Sequence, residues 1–527
     1  MLPPEFDSIA ASLTARYRSF LVEDSEGLAV PELLTAEERV LDFVRELGRD
    51  LIQTFVDVRS VQARAARRPC SCDLPPSIHR TTTWPRKTLL GVVFVKDPYV
   101  YCRICHGAER PLHSMLGTDR ETWSLDVQEA AVDLASDESC GKAVAKLQRH
   151  HPGVEMDRTA ALRMLHEHGA HAREFIDDKL GAARELAALP WGLRGEGATE
   201  LEVEWDAGMI PVATLEPIEP PDGEEPKLTP VRGLPKRRKM CRWEEAKVGL
   251  AQKPGEVDRL YTVRPTGDLA ASFDDLLGLA CLKGWTEQTQ VRGLADGAKH
   301  IRPRMEEVFD IGDFRFILDR PHCKEHLTAA GEALETEGAL ADGVTVQPWA
   351  EDALQKMEVG NVAEVVQELT RAWEASDPDP ESRNERLRLE AGYFERNSDA
   401  VAYAEYRAQG WSTASSEVES AQGHVVQARL KISGAWWHPA RVDDILALRV
   451  LRRMAGGTNT GMTADEHGGD VQRLSVKHAA ARPPEDSQNR GPLALEAVVR
   501  CASESPPQRW RTLGRGLTLE VGTPPSR

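Results

Sequence analysis

The chain has 527 residues, too many for one ordinary domain, and length alone predicts roughly three or four. Hydrophobic residues make up 41% and charged residues 28%, as in a globular protein, and no apolar run approaches the roughly 20 residues that cross a bilayer, so a helical membrane protein is not expected. The net charge of −18 argues against a protein that is basic throughout, but binding to phosphates follows the local field, and basic clusters stand at Arg64, Arg67 and Arg68, at Lys236, Arg237, Arg238 and Lys239, at Arg302 and Arg304, and at Arg429 and Lys431.

The start, MLPPEFDSIAASL, has neither the basic nor the apolar segment of a secretory signal, so a cytoplasmic location is expected. Residues 1–69 read as helical, with apolar residues at helical spacing through LTAEERVLDFVRELGRDLIQTFVDV and a capping box at Thr35 and Glu38. Residues 70–117 change character: clustered cysteines, prolines and the strand-like run LLGVVFV. Residues 118–195 return to helical patterning and predict a region that is either helix-turn-helix-like or plainly structural.

From residue 196 the pattern becomes mixed. TELEVEWD alternates like a strand and MIPVATL follows at once, which predicts a hairpin between them. Residues 216–239, rich in Pro, Glu and Lys, read as a surface loop. CRWEEAKVGLA and DRLYTVRP read as strands, 267–284 as a helix, TQVRGLADG as a strand into Asp296, 299–309 as a helix and FRFILD as a strand. That order predicts a mixed α/β sheet with helices on its faces, over 196–326. Residues 327–410 are helical and charged, 411–455 helical again, and 456–527, rich in Gly, Pro and polar residues, predict disorder.

Four cysteines fall close together: Cys70 and Cys72, then Cys102 and Cys105, about 30 residues later. Zinc takes four soft ligands in a tetrahedron, and two thiolate pairs brought together by a strand hairpin supply them. Cys70-x-Cys72 is a tight pair, so His79 or His106 stands as a substitute ligand. Such a zinc site would be structural, since four protein ligands leave no open position. The other five cysteines have no ligand spacing.

A second pattern is acidic. Phosphodiester chemistry assisted by two divalent ions about 3.5–4 Å apart needs hard carboxylate ligands held rigidly. Asp206 in W-D-A-G and Asp296 in L-A-D-G both read as strand-end residues, each with a nearby glycine that lets the backbone turn and leaves room for a ligand. Glu419, in S-E-V-E-S-A, opens a helix and completes a triad, with Glu417 as its near neighbour.

At these residues the chain resembles the DDE transposases of bacterial insertion sequences, and among them the ISKra-type group. The resemblance runs from about Cys70 to about Leu448. It is carried by TLLGVVFV leading to YVYCRIC, by R-W-E-E-A-K-V-G-L, by L-A-D-G-A-x-x-I with F-I-L-D-x-x-H-x-x-E-H-L, and by Y-F-E-R-N, Y-A-E-Y-R-A-Q-G and V-E-S-A-x-x-x-V-V-Q-A-R-L-K-x-S-G-A-W-W. The chain departs from the family in W-D-A-G, where V-D-G is usual, and in Ser415-Ser416-Glu417, where a Gly-Ser-Gly-type lead-in is usual. The resemblance implies an RNase H-like core with a helical insertion before the final Glu. It implies Mg²⁺ (or Mn²⁺) on Asp206, Asp296 and Glu419, double-stranded DNA (element ends and target) as partner, a homo-oligomer on DNA, and strand transfer as the activity. Lys236, Arg237, Arg238 and Lys239, with Arg429, Lys431 and Trp436, are the expected DNA contacts.

Two other readings compete. His322, Glu325 and His326 fit H-x-x-E-H, in which two histidines one helical turn apart bind zinc and the Glu acts as base, the pattern of a peptidase. The chain also reads as a catalytically inactive, DNA-binding transposase remnant, in view of its low basicity and its unusual tail.

Overall fold

In the computed structural model, the described residues are 4–26, 33–65, 72, 77–116, 122–187, 197–218, 236–256, 259–265 and 269–455. Cys70, the insertion at 219–235 and the expected disordered tail at 456–527 lie outside them. The chain divides into two compact units, the first ending at His168 and the second beginning at Gly169.

The first unit opens with α1 (Pro4–Glu26) and α2 (Leu33–Ala65). Because α2 begins at Leu33, Thr35 lies within its first turn rather than ahead of it as a cap. A three-stranded antiparallel sheet follows, of β1 (Ser77–Thr88), β2 (Gly91–Tyr101) and β3 (Ala108–Glu109). β2 alternates buried and exposed residues, the mark of a half-buried strand, and its inward Val95 meets Val56 and Ala63 of α2. Gly91 closes the β1–β2 turn at φ 119°, a conformation that favours glycine. Short helices α3 (Pro111–Leu116), α4 (Leu125–Asp137) and α5 (Cys140–His150) come next, the last two capped by Ser124 and Ser139. The division between the units falls within α6 (Arg158–Ala187).

The second unit is built on a five-stranded mixed sheet. Its strands are β4 (Glu200–Pro217), β5 (Arg237–Gln252), β6 (Leu260–Arg264), β7 (Gln290–Ala295) and β8 (Asp313–Leu318), in the order β6-β5-β4-β7-β8. β5 runs antiparallel to both β4 and β6, whereas β4, β7 and β8 are mutually parallel. The parallel connections are made by helices: α7 (Leu269–Leu282) precedes β7 and α8 (Ile301–Val308) precedes β8. Residues 201–205 of β4 are all buried, as a central strand requires. Trp205 stacks on Phe273 of α7 at 5.0 Å between ring centroids and donates its indole N–H to Ser272 at 3.2 Å. Thus the expectation of a mixed α/β sheet flanked by helices holds.

Two expectations about the sheet are corrected. TELEVEWD and MIPVATL do not form a hairpin: they lie on one 18-residue strand, paired with β5 from Glu202 to Pro217. Asp206 therefore sits within a strand, at the point where pairing with β7 stops, since Trp205 is the last residue of β4 in register with β7. Arg237, Arg238 and Lys239 belong to β5 rather than to a loop, and Lys236 immediately precedes it.

Beyond the sheet come α9 (Arg320–Thr336), α10 (Val346–Glu358), α11 (Val362–Ser376), α12 (Glu385–Arg396) and α13 (Tyr403–Ala408). The chain then returns to the sheet through α14 (Ser416–Ala421), a π-helical turn at Gln422–Gln427, and α15 (Ala428–Leu430). The helix expected to continue is broken after Leu430, where Gly434 takes φ 76°, and α16 (Pro439–Ala455) follows. The break is held in place by β4: Ala213 donates to the Trp437 carbonyl at 2.7 Å and Trp437 to the Pro211 carbonyl at 3.2 Å. Among the described residues, no helix is long and apolar enough to cross a membrane.

Candidate metal centre

Side chains alternate along a strand, so Glu202, Glu204 and Asp206 share one face of β4 while Val203 and Trp205 point into the opposite layer. The parallel neighbours supply two more acids at their ends: Asp296 directly follows β7, and Asp319 directly follows β8 and caps α9. These three strands therefore deliver Asp206, Asp296 and Asp319 side by side.

Asp319 ties the remote helix to the sheet. Its Oδ1 accepts from the Ser415 backbone N–H at 2.6 Å and from the Ser415 hydroxyl at 2.8 Å. Its Oδ2 accepts from the His322 backbone N–H at 2.9 Å and from His322 Nδ1 at 2.7 Å. A second clamp lies one element away, where Val418 of α14 donates its N–H to Glu204 Oε2 at 2.7 Å. Together they fix α14 against β4 and β8, and Glu419 enters the cluster: ligand atoms of Asp319, His322 and Glu419 all lie within 4.8 Å of one another. Glu417 is directed elsewhere, accepting from Arg259 at 2.8 Å.

The glycines beside the two aspartates have a different purpose from the turn expected of them. Neither takes a positive φ. A Cβ on Gly208 would stand 2.8 Å from Gln422 Oε1, and one on Gly297 would stand 2.6 Å from both Asn397 Nδ2 and Leu318 Cδ1. Gly208 thus admits Gln422, the first residue of the π-helical turn, whose Nε2 donates to the Ala246 carbonyl at 2.9 Å and to the Asp206 carbonyl at 3.4 Å. Gly297 admits α12, whose Tyr393 hydroxyl donates to Asp296 Oδ1 at 3.4 Å. Tyr393 in turn stacks on His326 at 3.7 Å, and His326 Nδ1 bonds Glu390 at 2.6 Å.

The electrostatics are those of crowded carboxylates. Burial raises the Asp206 pKa, opposed by the Ala207 backbone N–H and by His322, and reinforced by Asp296 and Asp319. Burial also raises Glu419, with Asp319 and Asp206 adding repulsion that His322 partly offsets. Asp319 goes the other way: burial works to raise it, but the hydrogen bonds from His322 and Ser415 hold it below the usual range. His322 is pushed up to about 9, chiefly by its bond to Asp319, so it is an imidazolium at neutral pH. Behind them, burial pushes Glu204 up to about 8, and its Oε1 has no hydrogen-bond partner. Such an arrangement favours added positive charge. Its donors are mainly hard oxygens, which suits a divalent cation such as magnesium, and a cation on His322 itself would displace the proton there.

Of the residues expected at this centre, Glu419 joins Asp319 and His322, which were not anticipated as ligands. Asp206 feels the charges of Asp296 and Asp319 and acts on Glu419, but neither Asp206 nor Asp296 belongs to the group of ligand atoms within 4.8 Å of one another. The D-x-x-H spacing at the end of β8 was the available signal. It marks both a helix cap and a carboxylate–imidazole pair. The two histidines of H-x-x-E-H have separate partners: His322 is turned to Asp319 and His326 to Glu390, and no group of three potential ligands among the described residues contains both.

In the first unit the sulfur atoms of Cys72, Cys102 and Cys105 lie within 4.8 Å of one another. Cys102 donates its N–H to the Gly107 carbonyl at 2.9 Å, closing the knuckle turn, and His106 takes φ 58° with its ring hydrogen-bonded to the Tyr101 hydroxyl. Neither His79 nor His106 belongs to the thiol group. Three convergent soft donors fit a thiophilic ion such as zinc.

The expected DNA contacts separate into two kinds. Lys236, Arg237, Arg238, Lys239 and Lys431 are exposed. Trp436 is half-buried, edge-on to the exposed Trp243 at 6.1 Å, with Lys239 5.2 Å from its ring centre. Arg429, by contrast, is only 3% exposed and lies 4.5 Å from the centre of the Trp437 ring. Its location on the inward side of α15 removes it from any surface, which corrects the expectation that it meets DNA.

No protein-family model matches the chain, and no curated protein matches it.

Proposed function

We propose that the chain is a metal-dependent DNA strand-transfer enzyme of the DDE transposase type, with an RNase H-like core. The observation that supports this reading is that α14 brings Glu419 to Asp319 and His322 at the end of β8, beside Asp206 of β4, which in turn feels the charge of Asp296 after β7, with α9 to α13 lying between the last strand and Glu419. Asp206, Asp296 and Glu419 would hold Mg²⁺ or Mn²⁺, with Asp319 and His322 completing the cluster. When bound, these ions supply the charge that activates water or a 3′-hydroxyl and steadies the leaving oxygen.

The protein's own groups prepare that chemistry. Asp319 and Ser415 fix the approach of α14, and Glu204 anchors the turn that presents Glu419. Tyr393 bonds one oxygen of Asp296 and leaves the other to a ligand. The exposed ribbon carrying Arg237, Arg238 and Lys239, with Lys236 before it and Trp243 and Trp436 beside it, offers phosphate partners and aromatic faces to DNA. Cys72, Cys102 and Cys105, with Cys70 as the fourth thiolate, would hold a structural Zn²⁺.

The test is Mg²⁺-dependent cleavage of DNA carrying the flanks of the chain's own coding region, with the wild type and Asp296→Asn compared. The expected result is cleavage by the wild type alone, with DNA binding kept in both. Cleavage retained by Asp296→Asn would overturn the assignment.

A further inference from the structure

In the first unit, α2 has two apolar faces, and only one of them is used. Ile52, Val56 and Ala63 pack over β2 and α3. Around the helix, Leu33, Val40, Val44, Leu51 and Val61 remain 85, 46, 52, 46 and 62% exposed. Their steps of seven, four, seven and ten residues keep to the a and d positions of one heptad seam, with Leu47 and Val58 filling positions between them. Leu41 and Phe55, 43 and 52% exposed, widen the seam at the same flanking position of two heptads. α1 lies alongside, with Phe20 stacked on Phe43 at 4.3 Å and Arg16 bonded to Glu46 at 3.2 Å. It adds Tyr17, Leu21 and Val22, each about half exposed. A run of this kind is larger than the scattered apolar residues of an ordinary surface.

We propose that this seam is where a second copy of the chain docks, two α2 helices running antiparallel with each α1 beside its own α2. Charge selects that occupant. The part of α2 before Gly48 carries Glu37, Glu38, Asp42 and Glu46 against Arg39 and Arg45. The part after it carries Arg49, Arg59 and Arg64 against Asp50 and Asp57. Paired acids lie in both parts, Glu46 and Asp50 with Arg16, Asp42 with Arg45 and Asp57 with Lys96, so the balance is two acids in excess before Gly48 and one base in excess after it. Antiparallel self-pairing therefore sets an acidic half against a basic half on both sides of a two-fold axis, as a self-complementary interface requires. The acidic half also opposes docking on an anionic lipid surface. At 33 residues α2 is about 50 Å long, and a seam of that length with α1 beside it buries on the order of 800 Å² per copy, the amount a stable interface needs.

The experiment is sedimentation of the full chain over a range of micromolar concentrations, with the Val44→Glu, Leu51→Glu double variant in parallel. A wild-type dimer whose dissociation constant rises about 100-fold or more in the variant is expected. The half-exposed positions predict unchanged circular dichroism for the variant. If the variant nevertheless misfolds, hydrogen exchange of the wild type decides: protection across Val40 to Phe55 should grow as concentration rises. A wild type that stays monomeric, a variant that stays dimeric, or exchange that ignores concentration overturns the proposal. So does a monomer that binds phosphatidylglycerol vesicles through α2. Glu37→Lys with Glu38→Lys should raise the dissociation constant about 10-fold, and unchanged affinity would overturn the antiparallel pairing.

Discussion

Asp319 and Ser415, 96 residues apart, are joined by two hydrogen bonds, at 2.6 Å from the Ser415 backbone and at 2.8 Å from its hydroxyl. The pair fastens the end of β8 to the entry of α14, so the position of Glu419 depends on it. Ser415→Ala keeps the backbone bond and loses the other, which should reduce stability by about 1 kcal/mol. Asp319→Ala leaves His322 and Ser415 without their buried acceptor and should cost about 3–5 kcal/mol. Urea unfolding of the two variants checks the order, and Mn²⁺ titration should show weakened binding in both. Equal stabilities would mean that the link does not hold α14.

Glu204 provides a pH test. Its carboxyl, wholly buried, has a pKa raised to about 8 by burial first, against the Val418 hydrogen bond. Below about pH 4.5 both folded and unfolded states are protonated there. As pH rises from about 4.5 to about 8, the unfolded chain releases this proton and the folded chain keeps it, so stability falls by up to about 1.4 kcal/mol per pH unit. Above pH 8 the loss levels off. Glu204→Gln retains an acceptor for Val418 and cannot ionise. Its melting temperature, without added divalent metal, should exceed that of the wild type by a margin that widens from pH 5 to pH 8. A constant margin would show that Glu204 is not the titrating group.

Tyr393→Phe separates positioning from folding. The ring stays stacked on His326, and the hydroxyl removed spans a long 3.4 Å to Asp296. Stability should change by less than about 1 kcal/mol. Mn²⁺ affinity should fall several-fold, because Asp296 loses the bond that holds one of its oxygens. A fall in stability with no change in affinity would make Tyr393 a packing residue only.

The knuckle predicts near-stoichiometric zinc in protein purified without chelator. Cys102→Ser, at the buried member of the group, should release most of it, and Cys70→Ser should lower affinity if the fourth thiolate lies there. Metal analysis of the purified variants reads both outcomes. Wild-type protein lacking zinc would end the assignment.

Local patterning made part of this architecture legible. The short run before Asp296 reads correctly as β7, and the alternation of strands and helices predicts the mixed sheet. The W-D-A-G segment misleads because a small-residue step looks like a turn, whereas Gly208 lies in a continuous strand and makes room for Gln422, a residue more than 200 positions away. The bond between Glu204 and Val418 spans 214 residues and leaves no local pattern. Asp319 followed by His322 looks like an ordinary helix cap, which it also is, so its place in the acidic cluster emerges only when β8 is set beside β7 and β4. The two tryptophans show the same limit. Trp437 donates its indole N–H to the Leu430 carbonyl at 2.9 Å and anchors the break in the helix, while Trp436 turns to the ribbon.

That division gives the last prediction, a contrast between two arginines expected to meet DNA. Arg238 is exposed on the ribbon, and Arg238→Ala should weaken DNA binding across sequences, reduce its salt dependence by about one phosphate contact, and leave stability within about 0.5 kcal/mol. Arg429 is buried against Trp437, so Arg429→Ala removes packing and a desolvated charge contact. It should lower stability by about 2–3 kcal/mol while leaving the salt slope of binding unchanged in the folded protein. Binding measured at several salt concentrations, beside thermal unfolding, distinguishes the two effects. If Arg429→Ala instead flattened the salt dependence without loss of stability, its side chain would have to leave Trp437 when DNA binds.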